Sequence, residues 1–181
     1  MTGQVRLARG HDAPALSELM RRLFLQAYAH SADAGNVARL LEESHHPERQ
    51  AREIADKSLA TLIVEHDGVL SGYAQLRYRA PPPVALPAAH AAQLWRLYLD
   101  AHLHGSGTGR ALVDDVVQRA AASGADALWL SVWQQAPRAM RFYEKCGFRT
   151  AGTTVFMVGE HPTDDWVMWR KLATTGQRAS R

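Results

Sequence analysis

Cysteine is almost missing from this chain: Cys146 is the only one in 181 residues. A single thiol excludes an intrachain disulfide framework and suits a reducing compartment. Long apolar runs are missing too, since no stretch approaches the roughly 20 residues a helix needs to cross a bilayer. The opening MTGQVRLARGHD lacks the apolar segment of a secretion signal. Nor does charge of one sign dominate: 21 basic and 18 acidic residues leave a net charge of +3, to which nine histidines add in acid. The basic residues are scattered, with no Lys/Arg stripe interleaved with aromatics, so no nucleic-acid partner is expected. These absences together predict a soluble, cytoplasmic protein with no membrane partner.

The length is most simply that of one domain, placed at residues 1–172, with a polar tail over 173–181. Its 46% apolar residues suffice for a sizeable core. Gln4 to Ala8 reads as a short strand. Asp12 reads as an N-cap with Pro14 in the first turn of a helix, whose apolar stripe (Leu16, Leu19, Met20, Leu23, Phe24) reaches about Tyr28. Val37, Leu40 and Leu41 suggest a short second helix, and Pro47 opens another through Ile54. Thr61 to Glu65 and Val69 to Tyr78, joined at Asp67-Gly68, form a hairpin. The four prolines of Ala80 to Ala92 exclude a central strand there and predict a surface loop.

The chain is organised around Gln93 to Ala122. Leu94 to Leu99 is a strand-like run, and Ala101 to Gly109 is a loop with glycines at 105, 107 and 109. Leu112, Val113, Val116, Val117, Ala120 and Ala121 then recur with helical spacing. Strand, glycine turn and amphipathic helix make an anion site from backbone alone, because the first helical amides lack internal partners and the helix dipole favours negative charge there. The dinucleotide fingerprint fails on spacing, and the phosphate-loop pattern fails because no lysine lies between Gly105 and Ala122. Downstream, Leu128 to Trp133 is a buried strand and Pro137 to Gly147 a helix. Phe148 to Gly152 and Asp165 to Lys171 are strands, with apolar Thr154 to Val158 and a polar turn, Gly159 to Asp164, between them. Helices and strands in this order predict a mixed α/β sheet with parallel pairing at its centre.

With these residues in place the chain resembles the GNAT-type N-acetyltransferases. Their acyl-CoA motif is a Gln or Arg, two residues of any kind, Gly, any residue, then Gly or Ala. Here it falls on His104, Gly105, Ser106, Gly107, Thr108 and Gly109. The second motif, N-P-R-A-x-x-F-Y-x-x-x-G-F, corresponds to APRAMRFYEKCGF. The two cover about Gln93 to Gly152, and the ending TVFMVGEHPTDDWVMWRKL is similar to bacterial spermine/spermidine acetyltransferase-like proteins. The resemblance implies a mostly antiparallel sheet with one parallel pair at a splayed centre and helices on both faces. It implies acetyl-CoA as co-substrate, a small-molecule amine acceptor such as a polyamine, no metal, and the dimers common in proteins of this kind.

Roles follow residue by residue. Amides from Gly105 to Arg110, including Ser106, Gly107, Thr108 and Gly109, would cradle the CoA pyrophosphate, with Arg110 as an added cation. Backbone groups of Leu97, Tyr98 and Leu99 would pair with the pantetheine arm and point an N–H at the thioester carbonyl. Ala136 and Arg138 fall in the second motif near that arm. Tyr143, which alone reads as a core aromatic, becomes the acid that protonates the departing thiolate. Two departures stand out: His104 replaces the Gln/Arg, and Ala136 replaces the asparagine. The strand glutamate that serves some relatives as base is here neutral Gln93, leaving Glu65, Asp164, Asp165 and His161 as chemical alternatives. His102-x-His104 and His45-His46 lack further ligands at metal spacing. Trp95, Trp133 and Trp166 are the tryptophans expected at a pocket wall, and Cys146 reads as a packed helix residue. A non-catalytic acyl-CoA-binding protein on the same fold is the competing functional class.

Overall fold

The computed structural model describes residues 3–28, 41, 45–66, 68–158 and 161–173. The helix expected around Val37 to Leu40 and most of the polar tail lie outside them. Seven strands form one sheet: β1 (Gln4–Leu7), β2 (Leu59–His66), β3 (Val69–Arg77), β4 (Ala91–Leu99), β5 (Ala127–Trp133), β6 (Arg149–Val158) and β7 (His161–Lys171), in the order β1-β2-β3-β4-β5-β7-β6. Four helices flank it among the described residues: α1 (Ala13–Tyr28), α2 (Pro47–Ala55), α3 (Thr108–Ala122) and α4 (Pro137–Lys145).

Among the described residues only β4 and β5 pair in parallel, and only through Ala91–Ala127, Ala92–Leu128 and Gln93–Trp129. Beyond Gln93 the strands part. From there β4 bonds to β3 alone, so every second amide and carbonyl of its last six residues faces an open gap. A bulge starts the divergence: Leu76 opposes Leu94 and Gln75 opposes Arg96, which leaves Trp95 as the extra residue.

One face of the sheet is covered by α3, whose Leu112, Val113, Val116 and Ala120 are fully buried against Leu62, Ala74, Leu76, Leu128 and Leu130. Each large side chain contributes on the order of 1.5–3 kcal/mol by leaving water. The other face takes α1, with Leu16, Leu19, Met20 and Leu23 on Ile63 and Tyr73. There the proline-rich segment does more than cross the surface: Val84, Leu86 and Ala88 cover Ala127, Trp129, Val167 and Trp169. Trp129 donates its Nε1–H to the Ala80 carbonyl at 2.8 Å. That burial explains why β7 is apolar at consecutive positions and not only at alternate ones.

Three local expectations are corrected. Asp12 does not cap α1. Its carboxylate turns back to the Arg9 amide (2.7 Å) and pairs with Arg6 (2.8 Å), because a short 3₁₀ turn, Gly10–Asp12, precedes the helix. The loop around the prolines ends at His90, since Ala91 and Ala92 already belong to β4. Residues 161–164, expected in a turn, pair with β6, which runs on through a bulge at Ala151 to make one long hairpin.

Candidate active site

The glycine turn is built by a 3₁₀ turn, Ala101–Leu103, followed by two left-handed glycines, Gly105 (φ 84°) and Gly107 (φ 89°). A Cβ at either would meet nothing within 4 Å, so it is the backbone conformation that demands glycine there, and the space above is open. Gly109 is different: a Cβ would come 3.1 Å from Leu99 and 3.3 Å from Phe142. The turn is held from within. Ser106 Oγ donates to the Leu103 carbonyl (2.7 Å) and pairs with Thr108 Oγ1 (2.8 Å). Among the described residues, the backbone amides of Gly105, Gly107, Gly109 and Arg110 have no protein acceptor. A cluster of unpaired amides at a helix start, under open space, fits an anionic ligand such as a pyrophosphate.

This turn opens onto a cavity of about 980 Å³ that runs through the gap between β4 and β5. Of the residues singled out in the sequence, Leu97, Tyr98, Leu99, His104, Gly105, Gly107, Gly109, Arg110, Ala136, Arg138, Tyr143 and Cys146 line it. Ser106 and Thr108 do not, since their side chains brace the turn from inside. The Arg110 guanidinium is engaged with Asp114 (3.0 Å) and the Lys145 carbonyl (3.0 Å). Leu23 and Gln26 of α1 also line the cavity, which therefore reaches the sheet's opposite face. Sequence reasoning missed both, because contacts of α1 with the far end of β4 have no local pattern. Tyr98 stands on that face too, its ring stacked on Tyr73 with centroids 5.5 Å apart.

Tyr143 sits half-buried on α4 between Phe142 and Phe148, with ring centroids at 5.2 and 5.8 Å. Desolvation raises its pKa, and nearby Cys146 adds to the rise. The phenol therefore stays protonated at neutral pH and is available as a proton donor. Cys146, expected to pack, is 2% exposed, and burial pushes its thiol pKa up.

The alternatives for a base separate. Glu65 pairs with Arg6 on the far side of the sheet (2.7 Å), and Asp164 is exposed. The His161 side chain lies outside what is described. Asp165 is 5% exposed opposite Trp133, and burial raises its pKa. Gln93 sits where β4 and β5 begin to part. Among the three tryptophans, Trp95 borders a smaller cavity of about 430 Å³, and Trp166 packs into the core. Trp133 lines neither cavity. No group of three or more His, Cys, Asp or Glu among the described residues is disposed to hold a metal, and no helix among them is long and apolar enough to cross a membrane.

Residues 18–148 match the acetyltransferase (GNAT) family. The chain belongs to that family. An uncharacterised N-acetyltransferase of Mycobacterium tuberculosis is 35% identical over 161 residues, covering 89% of this chain and 98% of its own. Among solved structures, the PaiA N-acetyltransferase of Thermoplasma acidophilum, in complex with coenzyme A, superposes with a TM-score of 0.76 at 22% identity, covering 94% of this chain and 99% of its own. A GNAT-family acetyltransferase of Streptococcus pneumoniae gives 0.69 at 21%, with the same coverage. The seven-stranded sheet with its single parallel pair is the fold these proteins share, and the chain is an acetyltransferase of this family.

Proposed function

We propose that the protein transfers the acetyl group of acetyl-CoA to a primary amine by direct attack. One observation carries this reading. The unpaired amides of the Gly105–Gly107 turn, the open edge of β4 and the Tyr143 phenol all face a single cavity. The pyrophosphate would lie on the amides of Gly105, Gly107, Gly109 and Arg110, with His104 at the rim. The pantetheine arm would extend along Leu97 to Leu99, beside Ala136 and Arg138. A β4 amide turned into the gap would stabilise charge developing on the thioester oxygen.

The amine must first lose a proton, because a primary ammonium near pKa 10.4 has no lone pair to attack with. Its nitrogen then forms the C–N bond as the C–S bond breaks, and sheds its second proton to solvent to leave the neutral amide. Tyr143 passes its proton to the departing sulfur and recovers one from solvent. A phenol that is protonated at neutral pH can give its proton to the sulfur as the C–S bond breaks, and general acid catalysis of this kind is worth roughly 10²–10⁴ in rate. The acceptor suggested by the chain's ending is a polyamine. The test is an amine panel assayed for release of free CoA thiol, with acetyl-CoA, ATP and NAD compared for thermal stabilisation. Thiol release with at least one amine, and stabilisation by acetyl-CoA alone, are expected. Stabilisation by ATP or NAD but not acetyl-CoA would defeat the reading.

A further inference from the structure

The smaller cavity lies on the face where α1 and α2 pack, opposite α3. It is bordered by Arg49 and Glu53 of α2, Arg77 of β3, Arg79 and Trp95. Its carboxylates are already satisfied. Glu53 accepts from Arg49 (3.0 Å), Gln75 (2.9 Å) and Arg96 (3.3 Å), and Asp56 accepts from the Ser58 amide and hydroxyl, both at 2.8 Å. The arginines are not all satisfied. The Trp95 ring is sandwiched between two guanidiniums, with Arg77 Cζ at 3.4 Å and Arg96 Cζ at 3.7 Å from its centroid. A guanidinium stacked by its face keeps its in-plane N–H groups free, and among the described residues no acceptor takes those of Arg77. Burial and the neighbouring Arg96 both disfavour its charge. At the rim, Arg79 holds a left-handed backbone (φ 51°), a conformation that costs energy in a non-glycine residue and clusters at functional sites.

A half-buried, pre-stacked guanidinium with no hydrogen-bonded carboxylate among the described residues is built for a planar or tetrahedral oxyanion. Its place relative to the reaction is set by β4. Trp95 is two residues before Leu97, about 7 Å along an extended strand. We infer that this cavity holds the anionic end, a carboxylate or a phosphate, of the amine acceptor, whose nitrogen reaches the thioester several bonds away. The inference rests on the acetyl-transfer reading for the amine end. It runs against a polyamine, because among the described residues lining the cavity Arg49, Arg77 and Arg79 outnumber Glu53 and Asp56, whose carboxylates are already engaged.

Matched acceptors test it: cadaverine against L-lysine, which adds a carboxylate, and ethanolamine against phosphoethanolamine, with spermidine alongside. In at least one pair the anionic member should show a kcat/KM tenfold or more above its partner, and the pair concerned tells carboxylate from phosphate. Arg77→Met, and separately Arg79→Ala, should shrink that ratio by raising KM for the anionic member. Turnover with no preference in either pair, or with spermidine ahead of all, overturns the inference and leaves acetyl transfer standing. An independent arm titrates succinate and inorganic phosphate at fixed ionic strength, following tryptophan fluorescence. A saturable change in the parent that Trp95→Phe and Arg77→Met abolish supports the site. No saturable change with either anion overturns it. Saturation without acetylation of any amine would sink the acceptor assignment together with the acetyl-transfer reading.

Discussion

Arg110, at the start of α3, donates through Nη1 to the backbone carbonyl of Lys145 at the end of α4, 3.0 Å away. The same guanidinium holds Asp114 one turn further along α3. The glycine turn and the Tyr143 helix form opposite walls of one cavity, and this side chain ties them together.

Arg110→Ala should therefore widen the spacing of those walls more than it destabilises the fold. The pair with Asp114 is exposed, so the loss of stability should not exceed about 1 kcal/mol. The expected result is a KM for acetyl-CoA raised several-fold with a melting temperature within a few degrees of the parent. Thiol-release kinetics and a thermal melt read both.

Gly107→Ala separates backbone strain from ligand contact. An alanine at φ 89° costs about 1–2 kcal/mol, and its methyl would project into the open space above the unpaired amides. Gly124, at the end of α3, has nearly the same conformation (φ 87°) far from the cavity. Both alanine variants should lose similar stability, but only Gly107→Ala should weaken acetyl-CoA binding, by tenfold or more. Isothermal titration of the two variants makes the comparison.

Much of this was legible because it is local. The hairpin turn at Gly68, the left-handed helix end at Gly124 and the glycine turn before α3 are each written within a few residues. The parallel centre followed from the strand–helix–strand order. What escaped depends on residues distant in the chain. Asp12 abandoned its capping role because Arg6 competes for it. Residues 161–164 are strand because ladder bonds to β6 outweigh their polar character. Gln26 reaches the cavity only because α1 crosses the splayed end of β4. The stack of Arg77, Trp95 and Arg96 requires both the β3–β4 register and the bulge, and neither is visible in the sequence.

His45 predicts the acid limit of the fold. It is 4% exposed beside Phe24, and burial, reinforced by Arg96, lowers its pKa from 6.5 to about 4. Between those values the unfolded chain takes up a proton that the folded protein refuses, so the stabilisation is present above pH 6.5 and is lost as pH falls toward 4. The loss should reach roughly 2–3 kcal/mol. Urea melts from pH 7 to 4 should show it, and His45→Gln should be less stable at pH 7 yet less sensitive to acid over that range.

The claim at the centre is that Tyr143 supplies the proton to the leaving thiolate. Tyr143→Phe keeps the ring packed between Phe142 and Phe148 and removes only the hydroxyl, so the decisive measurement is kcat for thiol release beside the Kd for acetyl-CoA. The account predicts a kcat lower by roughly 10²–10⁴ with a Kd within about twofold of the parent; an unchanged kcat on every amine the parent acetylates would contradict it.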